Sequence, residues 1–179
     1  MLRKIKEALG RRFRNISPDL LKTHYSRALA LGVKVGRNCR LFSSNFGSEG
    51  YLIEIGNHVT IADNVQFITH DGGIWVFREE DPQADVFGKI IIADNVFIGI
   101  NTILLPGVCL GSNTVVGAGS VVTKSFAGNC VIAGNPAKVI CSLDEYKEKL
   151  WGLRISTKSL PDRDKLEIIE QYPERLINK

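Results

Sequence analysis

The sequence predicts a mainly β protein in which short parallel strands stack along a coiled chain. The first observation is a set of aliphatic residues that recur at every sixth position: Ile92, Ile98, Leu104, Leu110, Val116 and Val122. The second is that the fourth residue of each of these hexads is Asn, Gly or Ser. The third is that an earlier stretch keeps the same frame at Ile55, Ile61 and Phe67. A period of six matches neither a hairpin strand nor an amphipathic helix, and it excludes both for this stretch.

Each hexad is interpreted as one short strand followed by a tight corner, because Asn and Gly tolerate the left-handed backbone that such a corner requires. Three hexads per turn would make a coil of 18 residues, with neighbouring turns about 4.8 Å apart. Each aliphatic residue would then stack on another one turn away, which pairs Ile92 with Leu110, Ile98 with Val116 and Leu104 with Val122. Such a prism buries one aliphatic column along each inner edge. The spacing alone leaves the number of faces and the handedness open.

The chain is expected to divide into an N-terminal helical segment (1–32), a coiled β domain (33–142) and a C-terminal helical tail (143–179). The text Ser17-Pro18-Asp19 predicts the start of a helix that ends at Gly32, since Ser suits the N-cap and Pro the first helical position. Between Phe67 and Ile92 the frame of six breaks, which predicts a loop over residues 68–88. A long excursion from a regular scaffold is usually functional.

The positive charge is concentrated at the start of the chain. Residues 1–14 hold six Lys or Arg and one Glu, while the whole chain has a net charge of +4, so nucleic-acid binding has little support. Residues Leu2, Ile5, Leu9 and Phe13 have helical spacing, and this helix would either pack on the prism or make weak contact with an anionic membrane surface. The sequence shows no apolar stretch typical of a secretion signal or a membrane span. The four cysteines form no CxxC pair, and we expect a cytoplasmic protein with reduced thiols.

His70 is the best candidate for a general base, because imidazole gains and loses a proton near neutral pH. His24 belongs to the N-terminal helix, and His58 occupies a corner position where other hexads carry Asn. His70 falls at a similar corner, so a purely conformational role is the alternative. Unlike His58, it opens the long loop and is followed by Asp71-Gly72-Gly73 and several aromatic residues.

The loop text VQFITHDGGIWVFR and the later text AGNPAK, within residues 33–140, resemble those of the hexapeptide-repeat acyltransferases of the sugar and polysaccharide O-acetyltransferase type. The resemblance implies a left-handed parallel β-helix, which is a three-sided prism and an exception to the usual right-handed crossover. It also implies acetyl-CoA as the co-substrate and a homotrimer whose sites lie between subunits. No metal is required under this interpretation.

The resemblance also implies roles for individual residues. His70 corresponds to the catalytic base, with Asp71 or Glu49 orienting its ring, and Asn45, Glu49 and Trp75 are candidates for contact with the acceptor. The residues that correspond to coenzyme A contacts are Phe97, Ala118, Thr123, Lys124 and Lys138. Two positions depart from the pattern, because Phe97 stands where many relatives have Trp and Cys141 where some have a basic residue.

The resulting hypothesis is an acetyl-CoA-dependent O-acetyltransferase that modifies a sugar hydroxyl in surface polysaccharide, such as capsule or O-antigen. The alternatives are a small-molecule acetyltransferase that acts on an antibiotic or a simple sugar, and an amino-sugar nucleotide N-acetyltransferase. A zinc carbonic anhydrase of similar fold is disfavoured, because His24, His58 and His70 do not converge in one coil. A purely structural β-helix leaves the His70 loop unexplained.

Overall fold

The computed structural model describes residues 18–177, so the basic segment 1–14 and the predicted N-cap Ser17 lie outside the described residues. Helix α1 spans Pro18–Ala30. It ends in a Schellman turn, in which the Val33 N–H donates to the Ala28 carbonyl and the Gly32 N–H to the Leu29 carbonyl. Gly32 takes a φ of +80° there, a conformation that glycine adopts without strain. Ala28 and Val33 are both buried, which fixes the end of α1 against the prism.

Thirteen short strands follow within the described part of the chain, and twelve of them form parallel ladders. Their bounds are β1 Lys34–Val35, β2 Arg40–Leu41, β3 Ile53–Ile55, β4 Thr60–Ile61, β5 Gln66–Phe67, β6 Ile90–Ile92, β7 Phe97–Ile98, β8 Ile103–Leu104, β9 Cys109–Leu110, β10 Thr114–Val116, β11 Val121–Val122, β12 Cys130–Gly134 and β13 Ala137–Ser142. They build three sheets, in the orders β1-β3-β6-β9, β2-β4-β7-β10-β12-β13 and β5-β8-β11. Successive strands from β3 to β11 rotate through the three sheets, which fits a left-handed parallel β-helix.

The register confirms the predicted stacking. Ile92 lies opposite Leu110, Ile98 opposite Val116, and Leu104 opposite Val122. The earlier hexads continue these columns, because Ile55, Ile61 and Phe67 pair with the first three of the later set. Every member of the three columns is at most 4% exposed, so the aliphatic frame of the sequence is the core of the prism.

The corners of the prism also behave as the sequence predicts. Asn64, Asn95, Asn101 and Asn113 all have φ between 54° and 60°, and Gly107 and Gly119 are left-handed as well. His58 shares this conformation at 55°. Its Nδ1 lies 2.9 Å from Asn95 Oδ1, at the end of a ladder in which each Asn side chain donates to the next.

The end of the coil departs from the hexad frame. Leu110 pairs with Phe126 and Val116 with Ile132, so the last turn is two residues shorter than the regular turn of 18 residues before it. Strand β13 then folds back antiparallel to β12, a hairpin that the repeat did not predict. An antiparallel strand at this end covers an edge that would otherwise expose unpaired backbone groups.

Two short helices follow, α2 at Leu143–Trp151 and α3 at Asp162–Glu170. Helix α2 begins with a capping box, in which Ser142 and Glu145 hydrogen-bond reciprocally. Neither helix contains a buried residue. Among residues 18–177, no helix has the length and apolar character needed to cross a membrane, and Cys39, Cys109, Cys130 and Cys141 are all free thiols.

Candidate active site

The backbone around His70 is fixed by pairing between the two ends of the loop. The Gly88 N–H donates to the Thr69 carbonyl at 2.8 Å, and the Asp71 N–H donates to the Val86 carbonyl at 2.9 Å. His70 and Phe87 form an antiparallel bridge, and their rings meet edge to face with centroids 6.5 Å apart. The loop therefore leaves the end of β5 as a closed, strand-paired neck with His70 on it.

Glu49 lies beside His70 at the start of a short 3-10 turn, Gly50–Leu52. Its Oε2 is 3.0 Å from Nδ1 of the imidazole, and the two side chains are 16% and 47% exposed. A neutral ring with its proton on Nδ1 donates to this carboxylate, which leaves the Nε2 lone pair free to accept a proton from another molecule. The Glu49 carboxylate would also stabilise the charged imidazolium once that proton has been taken.

The carboxylate of Glu49 is itself held by hydroxyl groups. The buried Thr69 hydroxyl donates to Oε2 at 2.7 Å. Hydrogen bonds from Thr69, Ser48 and His70, the first being the strongest, lower the pKa of Glu49 to about 2. Glu49 is therefore ionised throughout the neutral range. Thr69 and Ser48 were not predicted from the sequence, since a Thr or Ser beside a candidate residue carries no distinctive signal.

Asp71 makes a different contact. It has an extended backbone, with φ −96° and ψ 102°, and its Oδ1 accepts the Gly73 N–H at 2.8 Å. Successive side chains of an extended chain point to opposite sides, which explains why Asp71 caps the 3-10 turn Gly72–Phe77 while its neighbour meets Glu49. Of the two carboxylates expected to orient His70, the one in contact with the ring is Glu49.

The loop exposes an apolar surface. Trp75 and Val76 are each 74% exposed, and Phe77 and Phe87 are each 53% exposed. Arg78 stabilises the loop through hydrogen bonds within it. Its guanidinium donates to the carbonyls of Pro82 and Ala84 and to the Asp85 carboxylate. The exposed aromatic face is thus carried on an ordered segment, and Trp75, a candidate acceptor contact, lies on it.

Asn45, another candidate acceptor contact, lies in a cleft of about 500 Å³ next to the strand that leads to His70. Its backbone bridges to Gln66, and its carbonyl accepts the Phe67 N–H at 3.0 Å. Its amide is 3.5 Å from Asn64 Oδ1. The coil therefore brings Asn45 to the rung that carries His70.

The residues expected to contact coenzyme A lie on later rungs of the prism and are all exposed. Thr123 and Lys124 follow β11, which is separated from β5 by one strand of the same sheet. This places Lys124 about 10 Å from Thr69 along the prism axis. Ala118 is on a corner that packs tightly against Gly99. A Cβ added at Gly99 would lie 2.6 Å from the backbone nitrogen of Ala118.

The two remaining candidates lie in the six-stranded sheet. The ring of Phe97 is 44% exposed on β7. Lys138 pairs with Ala133 in the terminal hairpin, and Cys141 pairs with Val131 in the same hairpin. In the described part of the chain, no group of three His, Cys, Asp or Glu side chains is arranged to hold a metal ion.

Comparison with known proteins gives the same family. The model of the bacterial transferase hexapeptide (six repeats) matches residues 89–124. Protein CapG of Staphylococcus aureus is 49% identical over 169 residues, which cover 92% of this chain and 94% of CapG. The galactoside O-acetyltransferase of Lactococcus lactis is 32% identical over 74% of this chain and 70% of its own length. The solved structure of a maltose O-acetyltransferase from Clostridium difficile is 29% identical, with a TM-score of 0.50 over 78% of this chain and 85% of that one.

The stacked hexads and these relatives define an acyltransferase. The chain belongs to the hexapeptide-repeat transferase family, of the sugar O-acetyltransferase type.

Proposed function

We propose that the protein transfers an acetyl group from acetyl-CoA to a sugar hydroxyl during assembly of a surface polysaccharide. The observation that carries the proposal is the Glu49–His70 pair, which leaves Nε2 as a free base at the foot of the loop. The names of two relatives support a sugar acceptor, because they are a galactoside and a maltose O-acetyltransferase. The surface-polysaccharide assignment rests on the resemblance of the THDGG loop text.

The chemistry needs few groups. Nε2 of His70 takes the proton of the acceptor hydroxyl while the hydroxyl oxygen attacks the thioester carbonyl, which becomes a tetrahedral oxyanion. The C–S bond then breaks as the carbonyl reforms, and the imidazolium returns its proton to the departing thiolate. The products are the acetyl ester and free coenzyme A. Glu49 stabilises the imidazolium between the two proton transfers.

The exposed residues on the later rungs suit coenzyme A. An extended pantetheine arm from a thioester near His70 would run along the prism past the exposed corner at Ala118, whose side chain is a single methyl group. Lys124 and Lys138 supply flexible positive charges for the phosphates, and Thr123 and Phe97 complete the candidate surface. The bound carrier supplies the activated acetyl group, while the residues of this chain position it.

We also propose that the enzyme is a homotrimer. The loop presents four exposed apolar side chains, Trp75, Val76, Phe77 and Phe87. A second copy that packs against this loop would bury this face and shield His70, half exposed in one chain, from water.

The decisive experiment is His70→Ala assayed by coenzyme A release on a sugar panel. Loss of the general base should lower kcat by roughly 10²–10⁴-fold with little change in KM for acetyl-CoA. The matched control is His58→Asn, which alters a histidine at a left-handed corner, keeps a residue that tolerates a positive φ and should retain parental kcat. A folded His70→Ala enzyme with parental kcat would show that the imidazole takes no part in the reaction.

A further inference from the structure

The cleft that holds Asn45 lies on the rung of the prism that carries His70. Its lining includes Arg27 from α1, Ser44, Asn45 and Gly47 from one coil segment, and Gln66 and Ile68 from the next. Gly47 is two residues before Glu49, and Ile68 is two residues before His70. Two residues span at most about 7 Å, so the backbones of Glu49 and His70 lie within about 7 Å of residues that line the cleft. A sugar that extends from the cleft towards these two residues can place a hydroxyl near the proposed base.

Arg27 supplies the charge of the cleft wall, while the ionised Glu49 lies outside that wall and in contact with His70. Arg27 is the one charged side chain among the described residues that line the cleft, and the others are neutral. Across the described side chains, no carboxylate forms an ion pair with Arg27. A guanidinium offers a planar fork of N–H donors that matches a carboxylate or a phosphate.

Arg27 has a fixed backbone position and an exposed side chain. It lies in the last turn of α1, next to the fully buried Ala28 and just before the Schellman turn that fixes the helix end. The favourable interaction of a cation with a helix C-terminus accounts for a positive residue in this turn. It does not account for a cleft beside that residue whose wall includes the polar side chains of Ser44, Asn45 and Gln66.

We propose that the acceptor is an anionic sugar, which carries a carboxylate or a phosphate bound by Arg27 while one of its hydroxyls faces Nε2 of His70. Asn45 and Gln66 provide amide donors and acceptors for the remaining hydroxyls. The assignment rests on the proposed acetyl transfer and adds the chemical class of the acceptor. The two sources of the anion, a uronic acid and a glycosyl phosphate, share the same recognition chemistry.

The test uses acceptor pairs in which one member carries the anion and the other is neutral. Methyl galacturonoside is compared with its neutral methyl ester, and galactose 1-phosphate with galactose, by steady-state coenzyme A release from the full chain. The parent should prefer the anionic member of at least one pair by tenfold or more in kcat/KM, and the responding pair identifies the anion. The preference should fall as salt is raised.

The variants separate charge from stability. The preference is the ratio of kcat/KM for the anionic member to kcat/KM for the neutral member. Arg27→Gln should reduce this ratio at least tenfold, because KM for the anionic member rises. Arg27→Lys should reduce the ratio less. The matched control is Arg40→Gln, because Arg40 is a surface arginine bonded to the Thr60 hydroxyl, and that variant should keep the parental ratio. Equal treatment of both members by the parent, or an equal loss for both in Arg27→Gln, would overturn the assignment.

Direct binding keeps this result distinct from failure of the proposed reaction. Calorimetric titration of the parent with galacturonate and with galactose 1-phosphate should give binding that Arg27→Gln loses, whether or not turnover follows. Binding without coenzyme A release would refute the acetyl transfer and retain the anion site. The absence of Arg27-dependent binding of either anion would refute the site.

Discussion

At the scale of single residues, the site depends on one carboxylate with three donors. Glu49 accepts from the Thr69 hydroxyl, from Ser48 and from the His70 ring. Thr69 is 1% exposed, so its hydroxyl cannot turn to water without breaking the bond to Glu49. The hydroxyl thus holds the carboxylate that contacts the imidazole, and we propose Thr69 as a positioning residue for the base.

We therefore expect Thr69→Val to lower kcat about tenfold while KM for acetyl-CoA stays near the parental value. A hydrogen bond to a charged group contributes about 1.5–3 kcal/mol, and here part of it holds the geometry of the base. Thr69→Ser, which keeps the hydroxyl, should restore most of the rate. Thr114→Val is the matched control, since Thr114 is also buried and its hydroxyl donates to the Gly111 carbonyl. If both valine variants lost kcat equally, the effect of Thr69 would be one of general stability.

The same carboxylate predicts acid sensitivity of the fold. The folded pKa of Glu49, about 2, is below its ordinary value of 4.5. The unfolded chain therefore binds a proton first as the pH falls, and the contribution of Glu49 is complete above about pH 4.5 and lost towards pH 2. Urea unfolding measures the free energy of unfolding at pH 6 and at pH 2.5. Between these two values it should fall by about 1–2 kcal/mol more in the parent than in Glu49→Gln, after allowance for solvent screening. An equal loss of unfolding free energy in both proteins would show that Glu49 does not contribute to the acid sensitivity of the fold.

At the scale of elements, the corners combine a backbone requirement with a side-chain ladder. Asn113 has a φ of 60°. Its Oδ1 accepts from Asn95 at 2.7 Å, and its amide donates to Asn129 Oδ1 at 2.8 Å. The left-handed backbone and the ladder thus stabilise the corner through separate contributions.

Two substitutions separate these contributions. Asn113→Gly removes the ladder bonds but keeps a residue that adopts a positive φ, whereas Asn113→Ala loses both. We expect the alanine variant to be less stable than the glycine variant by about 1 kcal/mol, because a left-handed backbone costs a residue with a Cβ about 1–2 kcal/mol. Chemical denaturation measures the difference. Equal stabilities would mean that the corner relaxes to another backbone conformation.

At the scale of the whole molecule, the property to be tested is the number of chains in the assembly. The proposed trimer predicts a sedimentation mass three times the 19.8 kDa of one chain. Val76→Glu places a charge on the exposed loop face and should shift the enzyme towards monomers and reduce activity, while Val76→Ile should do neither. A parent that sediments as a single chain at micromolar concentration would contradict the trimer.

The sequence by itself determined the columns, the corners and the position of the loop. Every sixth residue occupies the same place in a coil, so the pattern from Ile92 to Val122 reports the core directly, and His70 stood out as a histidine at the point where that pattern broke. Only the tertiary structure decided that Glu49 rather than Asp71 contacts the ring, that Thr69 holds this carboxylate and that Arg27 lines the cleft. The short last turn and the antiparallel β13 also appear only there. The physical reason is that a repeat fixes where each backbone position lies, whereas contacts between distant residues depend on register and side-chain direction, which no local pattern records.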